Sequence, residues 1–87
     1  MKRYTVSLDR AAQKQMRAVR DKRLRGALER EILALADDPR PHGCLKMAGY
    51  KDHWRIRVGE WRIVYRIEDG RLVVMVVAVA PRGGVYG

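Results

Sequence analysis

His53-Trp54-Arg55-Ile56-Arg57-Val58-Gly59-Glu60-Trp61-Arg62-Ile63-Val64-Tyr65-Arg66-Ile67 is the stretch that decides the fold. Apolar and polar residues alternate with a period of two, as in a strand with one buried face. Trp54, Ile56 and Val58 fall on one side, and His53, Arg55 and Arg57 on the other. Gly59-Glu60 breaks the alternation, and a Gly-X pair between two such runs predicts a two-residue hairpin of type II′. Closing the turn there sets Val58 opposite Trp61, Ile56 opposite Ile63 and Trp54 opposite Tyr65. Apolar then meets apolar at every buried position, so the side-chain pattern fixes the register.

The same register places Arg57 opposite Arg62, Arg55 diagonal to it, and His53 opposite Arg66. Like charges facing each other across an antiparallel pair are destabilising by a few tenths to about 1 kcal/mol. No carboxylate on this face offsets them, since Glu60 lies in the turn and Glu68 at the far end. Arginines gathered against their own repulsion point to an anionic partner.

Downstream, Asp69-Gly70 predicts a second tight turn, followed by a strand over Leu72 to Val79 that is apolar on both faces. Closing on Asp69-Gly70 pairs Tyr65 with Val74, Ile63 with Val76 and Arg62 with Val77. Leu72, Val74, Val76 and Ala78 then extend the face to be covered by helices. Val73, Met75, Val77 and Val79 sit beside the arginines, making that face half apolar and half cationic.

Upstream, Tyr4, Val6 and Leu8 alternate in a short strand expected at a sheet edge. Asp9 can cap a helix carrying Ala12, Met16 and Val19 on one stripe. Asp21 can cap a second helix over 22–36 with the stripe Leu24, Leu28, Ile32 and Leu35. Asp37-Asp38-Pro39-Arg40-Pro41 stops it, because each proline disfavours helix in the residue before it. Residues 42–52 form a loop with Gly43, Gly49, Lys46 and Lys51. The expected fold class is α+β: an N-terminal strand, a helical hairpin, then a three-stranded antiparallel meander. Together these give a four-stranded sheet with the helices on one face, in a single domain over residues 1–87.

With 19 Lys and Arg against 10 Asp and Glu, the chain has a net charge of +9, which invites nucleic acid or an acidic protein. The composition is that of a folded domain and not of a disordered basic tail. One cysteine, Cys44, excludes an internal disulfide and fits a reducing compartment. His42, His53 and Cys44 lack the spacing of a known metal cluster, so no metal or cofactor is expected. No apolar run approaches the roughly 18 residues of a membrane span, and the first residues lack the core of a signal peptide. A cytoplasmic protein without a membrane partner is the expectation.

The order of elements, the run Arg55-Ile-Arg-Val-Gly-Glu-Trp-Arg-Ile-Val-Tyr65, the Asp-Gly turn, the valine-rich strand and the terminal Arg82…Val85-Tyr86 resemble the RelE/ParE toxins of bacterial toxin–antitoxin systems. The resemblance covers nearly the whole chain. RelE-type members are ribosome-dependent endoribonucleases that cut mRNA in the A site and are silenced by a co-expressed antitoxin. ParE-type members share the fold and poison DNA gyrase. The resemblance implies catalytic roles for Arg55, Arg57, Arg62 and Arg82 around the scissile phosphate, with Tyr86 stacking on a base. Lys46, Lys51, His53 and Arg66 are further candidate substrate contacts. The implied partners are a cognate antitoxin, in a toxin–antitoxin hetero-oligomer, and mRNA on the 70S ribosome.

The implied reaction is attack of a ribose 2′-hydroxyl on the neighbouring phosphate, giving a cyclic phosphate and a 5′-hydroxyl without a metal. Arginine forks suit the phosphate oxygens. This sequence departs from relatives that carry lysines at the positions of Arg55 and Arg57, and arginine is a poor general base. Either the cationic cluster alone eases loss of the 2′-hydroxyl proton or another group takes that proton, and His53, on the same face by parity, is a candidate for the second route. A gyrase inhibitor or a non-catalytic RNA-binding domain on the same fold are the alternatives.

Overall fold

The computed structural model describes residues 3–81. Along the chain run β1 (Thr5–Leu8), α1 (Arg10–Ala18), α2 (Lys22–Ala34), β2 (Leu45–Lys46), β3 (His53–Val58), β4 (Trp61–Glu68) and β5 (Val73–Pro81). The strands make one sheet in the order β1-β5-β4-β3-β2. This is the α+β arrangement the sequence predicts, with a fifth strand added. β2 pairs antiparallel with β3 over only two residues, too short to leave a periodic signal. β1 sits at the other edge, parallel to β5.

Both helices start where an aspartate can cap them. The Asp9 carboxylate accepts from the Ala12 amide at 2.9 Å, and that of Asp21 from the amides of Arg23 and Leu24 at 2.9 and 3.2 Å. Each cap contributes about 1 kcal/mol by satisfying amides that the first turn leaves without a partner. The stripes Ala12, Met16, Val19 and Leu28, Ile32, Leu35 are buried against Ile56, Ile63, Tyr65, Ile67, Val74, Val76 and Val79 of the sheet. Full burial of each large aliphatic chain stabilises the fold by about 1.5–3 kcal/mol.

The β3–β4 hairpin has the predicted register, from Val58 opposite Trp61 through Arg57 opposite Arg62 to His53 opposite Arg66. Gly59 takes a positive φ of 58° and Glu60 does not, which is the pattern of a type II′ turn.

The β4–β5 pairing differs from the expectation. Asp69–Arg71 form a single turn of 3-10 helix and Leu72 adopts the left-handed conformation, φ 53°. The connection is therefore two residues longer than an Asp-Gly turn, and Tyr65 meets Val76 instead of Val74. A bulge then leaves Val77 without a cross-strand partner, so that Ile63 meets Val79 and Arg62 meets Ala80. Val79 thus belongs to the helix-covered core, 1% exposed, and Ala78 lies on the arginine face opposite Val64. A strand apolar on both faces has no alternation to resist such a shift. Helix α1 secures the result: the Val79 amide donates to Gln15 Oε1 at 2.7 Å.

Two tethers hold the segment between α2 and β2. The buried Tyr65 hydroxyl donates to the Pro39 carbonyl at 2.8 Å. Arg40 pairs with Asp69 at 2.9 Å while its guanidinium lies 5.1 Å from the centre of the Trp54 ring.

Candidate functional site

The helices cover one face of the sheet, and the other carries the cations. Strand parity aligns His53, Arg55 and Arg57 of β3 with Arg66, Val64 and Arg62 of β4. Further across, Met75, Ala78 and Ala80 of β5 continue the rows. Val64, Ala78 and Ala80 are small, so the long arginine side chains rise above a low floor. Arg55, Arg57 and Arg62 converge with Gly43, Leu45 and Ile56 on one cleft of about 320 Å³.

Among the described residues, ion pairs join Arg3 to Asp37, Arg40 to Asp69 and Arg71 to Glu68. None reaches Arg55, Arg57, Arg62 or Arg66. Three guanidinium groups thus share a cleft without a carboxylate of their own, and the Arg57–Arg62 repulsion is left standing. An anion with several oxygens relieves it, because each guanidinium offers a planar fork of donors.

The wall opposite the arginines comes from Gly43 and Leu45, which sequence reasoning missed. Leu45 pairs with Arg55 and so shares its face, 54% exposed. A two-residue strand gives no parity to read, and an isolated leucine in a loop carries no functional signal of its own. The same register puts Lys46 beside Trp54, on the face opposite the arginines, so the structure does not bring Lys46 to the cleft. Lys51 lies in the exposed loop before β3, where its carbonyl contacts His53 Nδ1 at 2.7 Å. His53 and Arg66 form the next row along the arginine face and do not line the cleft itself. Arg82 and Tyr86 lie outside the described residues.

Two further groups show what the surroundings do to their charge. Burial, with the Cys44 thiol as a neighbour, pushes the Tyr65 phenol well above its ordinary range. The hydrogen bond from Tyr4 to Asp69, 2.6 Å, raises the Tyr4 phenol, and the Asp69 carboxylate strengthens the charged form of Arg40. These contacts brace the sheet on the helix side of Trp54 and leave the arginines free on the other. Among the described residues, no three His, Cys, Asp or Glu side chains gather where a metal could sit. No described helix is long and apolar enough to cross a membrane.

The sequence matches the family model for the ParE toxin of type II toxin–antitoxin systems, parDE, over residues 6–86. The chain belongs to the RelE/ParE toxin family. No curated protein sequence matches it. The isolated RelE toxin of E. coli is similar in structure, with a TM-score of 0.78 and 26% identity, covering 91% of this chain and 84% of that one. RelE in the archaeal RelE–RelB complex of Pyrococcus horikoshii superimposes with a TM-score of 0.81 at 22% identity, covering 98% of this toxin and all of its counterpart. A YoeB/ParE toxin from Agrobacterium tumefaciens shares the fold at a TM-score of 0.77 and 17% identity, over 90% of this chain and 98% of its own.

Proposed function

We propose that this toxin is a ribosome-dependent endoribonuclease that cuts mRNA in the A site by a metal-independent route. The observation that carries the reading is the convergence of Arg55, Arg57 and Arg62 on one cleft that no described carboxylate neutralises. Attack of a 2′-hydroxyl on its neighbouring phosphate gathers negative charge on the phosphorane oxygens. Cations held in place before the reaction stabilise that charge more than the ground state. The arginines need not move to do so, because both strands that carry them are anchored in the core. Arg82 and Tyr86 are the remaining proposed participants, the first as a further cation and the second as a base-stacking platform worth roughly 1–3 kcal/mol. Lys51 and Arg66 are proposed contacts to flanking phosphates.

A free copy of such an enzyme would poison its host, so we propose a cognate antitoxin as its partner in a hetero-oligomer. Solved RelE toxins of E. coli and P. horikoshii are bound to antitoxins in complexes of this kind. The cytoplasm is the compartment where both proposed partners are found.

Incubating the pure toxin with programmed 70S ribosomes and mapping new 5′ ends tests the reading. Cleavage at the A-site codon, lost by about 100-fold or more in Arg62→Ala with ribosome binding largely kept, supports it. Equal losses of binding and cleavage would reduce the arginines to phosphate contacts. The second reading, a ParE-like gyrase inhibitor, is favoured by the family model that matches the chain. Relaxed or broken plasmid with intact mRNA would establish it in place of the first.

A further inference from the structure

Arginine donates hydrogen bonds but does not accept a proton at ordinary pH. Among the described residues, the lining of the cleft therefore holds the phosphate side of the proposed reaction and offers no side chain that takes up a proton from the attacking hydroxyl. One row along the face stands an imidazole. His53 opens β3, shares its side with Arg55 and Arg57, and stands opposite Arg66. Its Nδ1 lies 2.7 Å from the Lys51 carbonyl oxygen. A carbonyl only accepts, so Nδ1 must carry the hydrogen of that bond. In the neutral ring the lone pair is then on Nε2, at the outer end of the imidazole. The Tyr50 ring, 5.7 Å away and tilted by 49°, flanks the imidazole on the loop side. Tautomer and orientation are set by the fold before any ligand is present.

We propose that His53 Nε2 is the proton acceptor of the cleavage reaction, with the Lys51 carbonyl as its positioning group. This rests on the endoribonuclease reading given above. Nε2 takes the proton of the 2′-hydroxyl as the 2′-oxygen forms its bond to phosphorus. The bond from phosphorus to the 5′-oxygen breaks, and that oxygen takes a proton from solvent water. The imidazolium returns its proton to solvent, so the products are a 2′,3′-cyclic phosphate and a 5′-hydroxyl with no net proton change. Arg55 and the small Val64 occupy the row between His53 and the Arg57–Arg62 pair. His53 thus stands one row from Arg55, which lines the cleft, and the proposal places the ribose beside the imidazole with its phosphate among the guanidinium groups. The charged and titratable groups around the ring are Arg66 on β4, Arg55 on β3, and Tyr50, Lys51 and Asp52 of the preceding loop.

The test is single-turnover cleavage of ribosome-bound mRNA from pH 5.5 to 9 by wild type, His53→Asn and His53→Gly. Asparagine can still donate to the Lys51 carbonyl but cannot take up a proton, so the fold and ribosome binding are expected to survive. The cleavage rate is expected to fall by about 100-fold or more, and the rise in rate from acid to neutral pH to disappear. Added imidazole is expected to restore part of the His53→Gly rate in proportion to its free-base concentration, which a structural role would not produce. Cleavage by wild type together with a His53→Asn rate and pH profile equal to wild type overturns this proposal alone. Failure of the wild type to cleave at any pH overturns the endoribonuclease reading and this proposal with it.

Discussion

Gln15 holds the place where β5 changes register, and removing it gives the most direct test of how the sheet is secured. β1 ends opposite Val76, and three residues on, past the bulge at Val77, the Val79 amide donates to Gln15 Oε1 at 2.7 Å, across 64 residues of sequence. Val79 is 1% exposed, so water does not replace the lost acceptor. In Gln15→Ala the amide becomes a buried donor without a partner, which costs about 1–3 kcal/mol. Truncating a half-exposed side chain adds little to that. For a domain of this size each kcal/mol moves Tm by about 4–8 °C, so a fall of roughly 5–20 °C is expected. Gln15→Glu keeps an oxygen at the same position and should melt close to wild type, whereas Gln15→Met keeps the bulk and should melt like the alanine variant. Urea unfolding of the four proteins, followed by circular dichroism, gives the free energies directly. A Gln15→Ala loss below about 0.5 kcal/mol, the level of an ordinary surface change, would refute the role given to this bond.

Three other outcomes follow from the same geometry. Arg57→Glu replaces a repulsive pair with an attractive one opposite Arg62, and should raise stability by a few tenths to about 1 kcal/mol while weakening affinity for single-stranded RNA; denaturant midpoints and salt-dependent binding measure the two together. Gly59→Ala forces a side chain into a turn at φ 58°, and should cost about 1–2 kcal/mol although nothing lies close enough to clash. Tyr65 is protonated in the fold and its phenol is raised above the ordinary value of 10.0 chiefly by burial. Its contribution is complete below that value and is lost as the pH rises beyond it, while the unfolded chain ionises and the folded one does not. Wild type should accordingly lose stability above pH 10 more steeply than Tyr65→Phe, as read from urea midpoints between pH 7 and 11.

What the sequence made legible, and what it hid, divides along one physical line. The β3–β4 register could be read because each polar residue has a fixed parity against an apolar one, and a slip of one residue would bury Arg55 or Arg57. Both helix caps could be read because Asp9 and Asp21 stand immediately before amphipathic runs. The β5 register could not, since Val73 to Val79 look alike on either face and Leu72 in a left-handed conformation violates the usual preference of branched residues. The convergence of Arg55, Arg57 and Arg62 was legible from the hairpin alone. The Leu45 wall was not, because it depends on a strand of two residues that only the folded sheet defines. Lys46 was drawn into the site by charge, which says nothing about the side of the sheet on which a residue emerges.

The tethers at Pro39 and Arg40 have a bearing on how the cleft meets its ligand. Tyr65 grips the Pro39 carbonyl from inside the core, and Arg40 is clasped between Asp69 and the Trp54 ring. The next few residues are Gly43 and Leu45, the rim that faces the arginines. Under the proposed reading, an incoming anion meets a rim held by these tethers on its N-terminal side and by the pairing of Leu45 with Arg55 on the other, and little ordering entropy is left to be lost on entry. On that reading, capture is a matter of fit on arrival and not of a jaw that shuts.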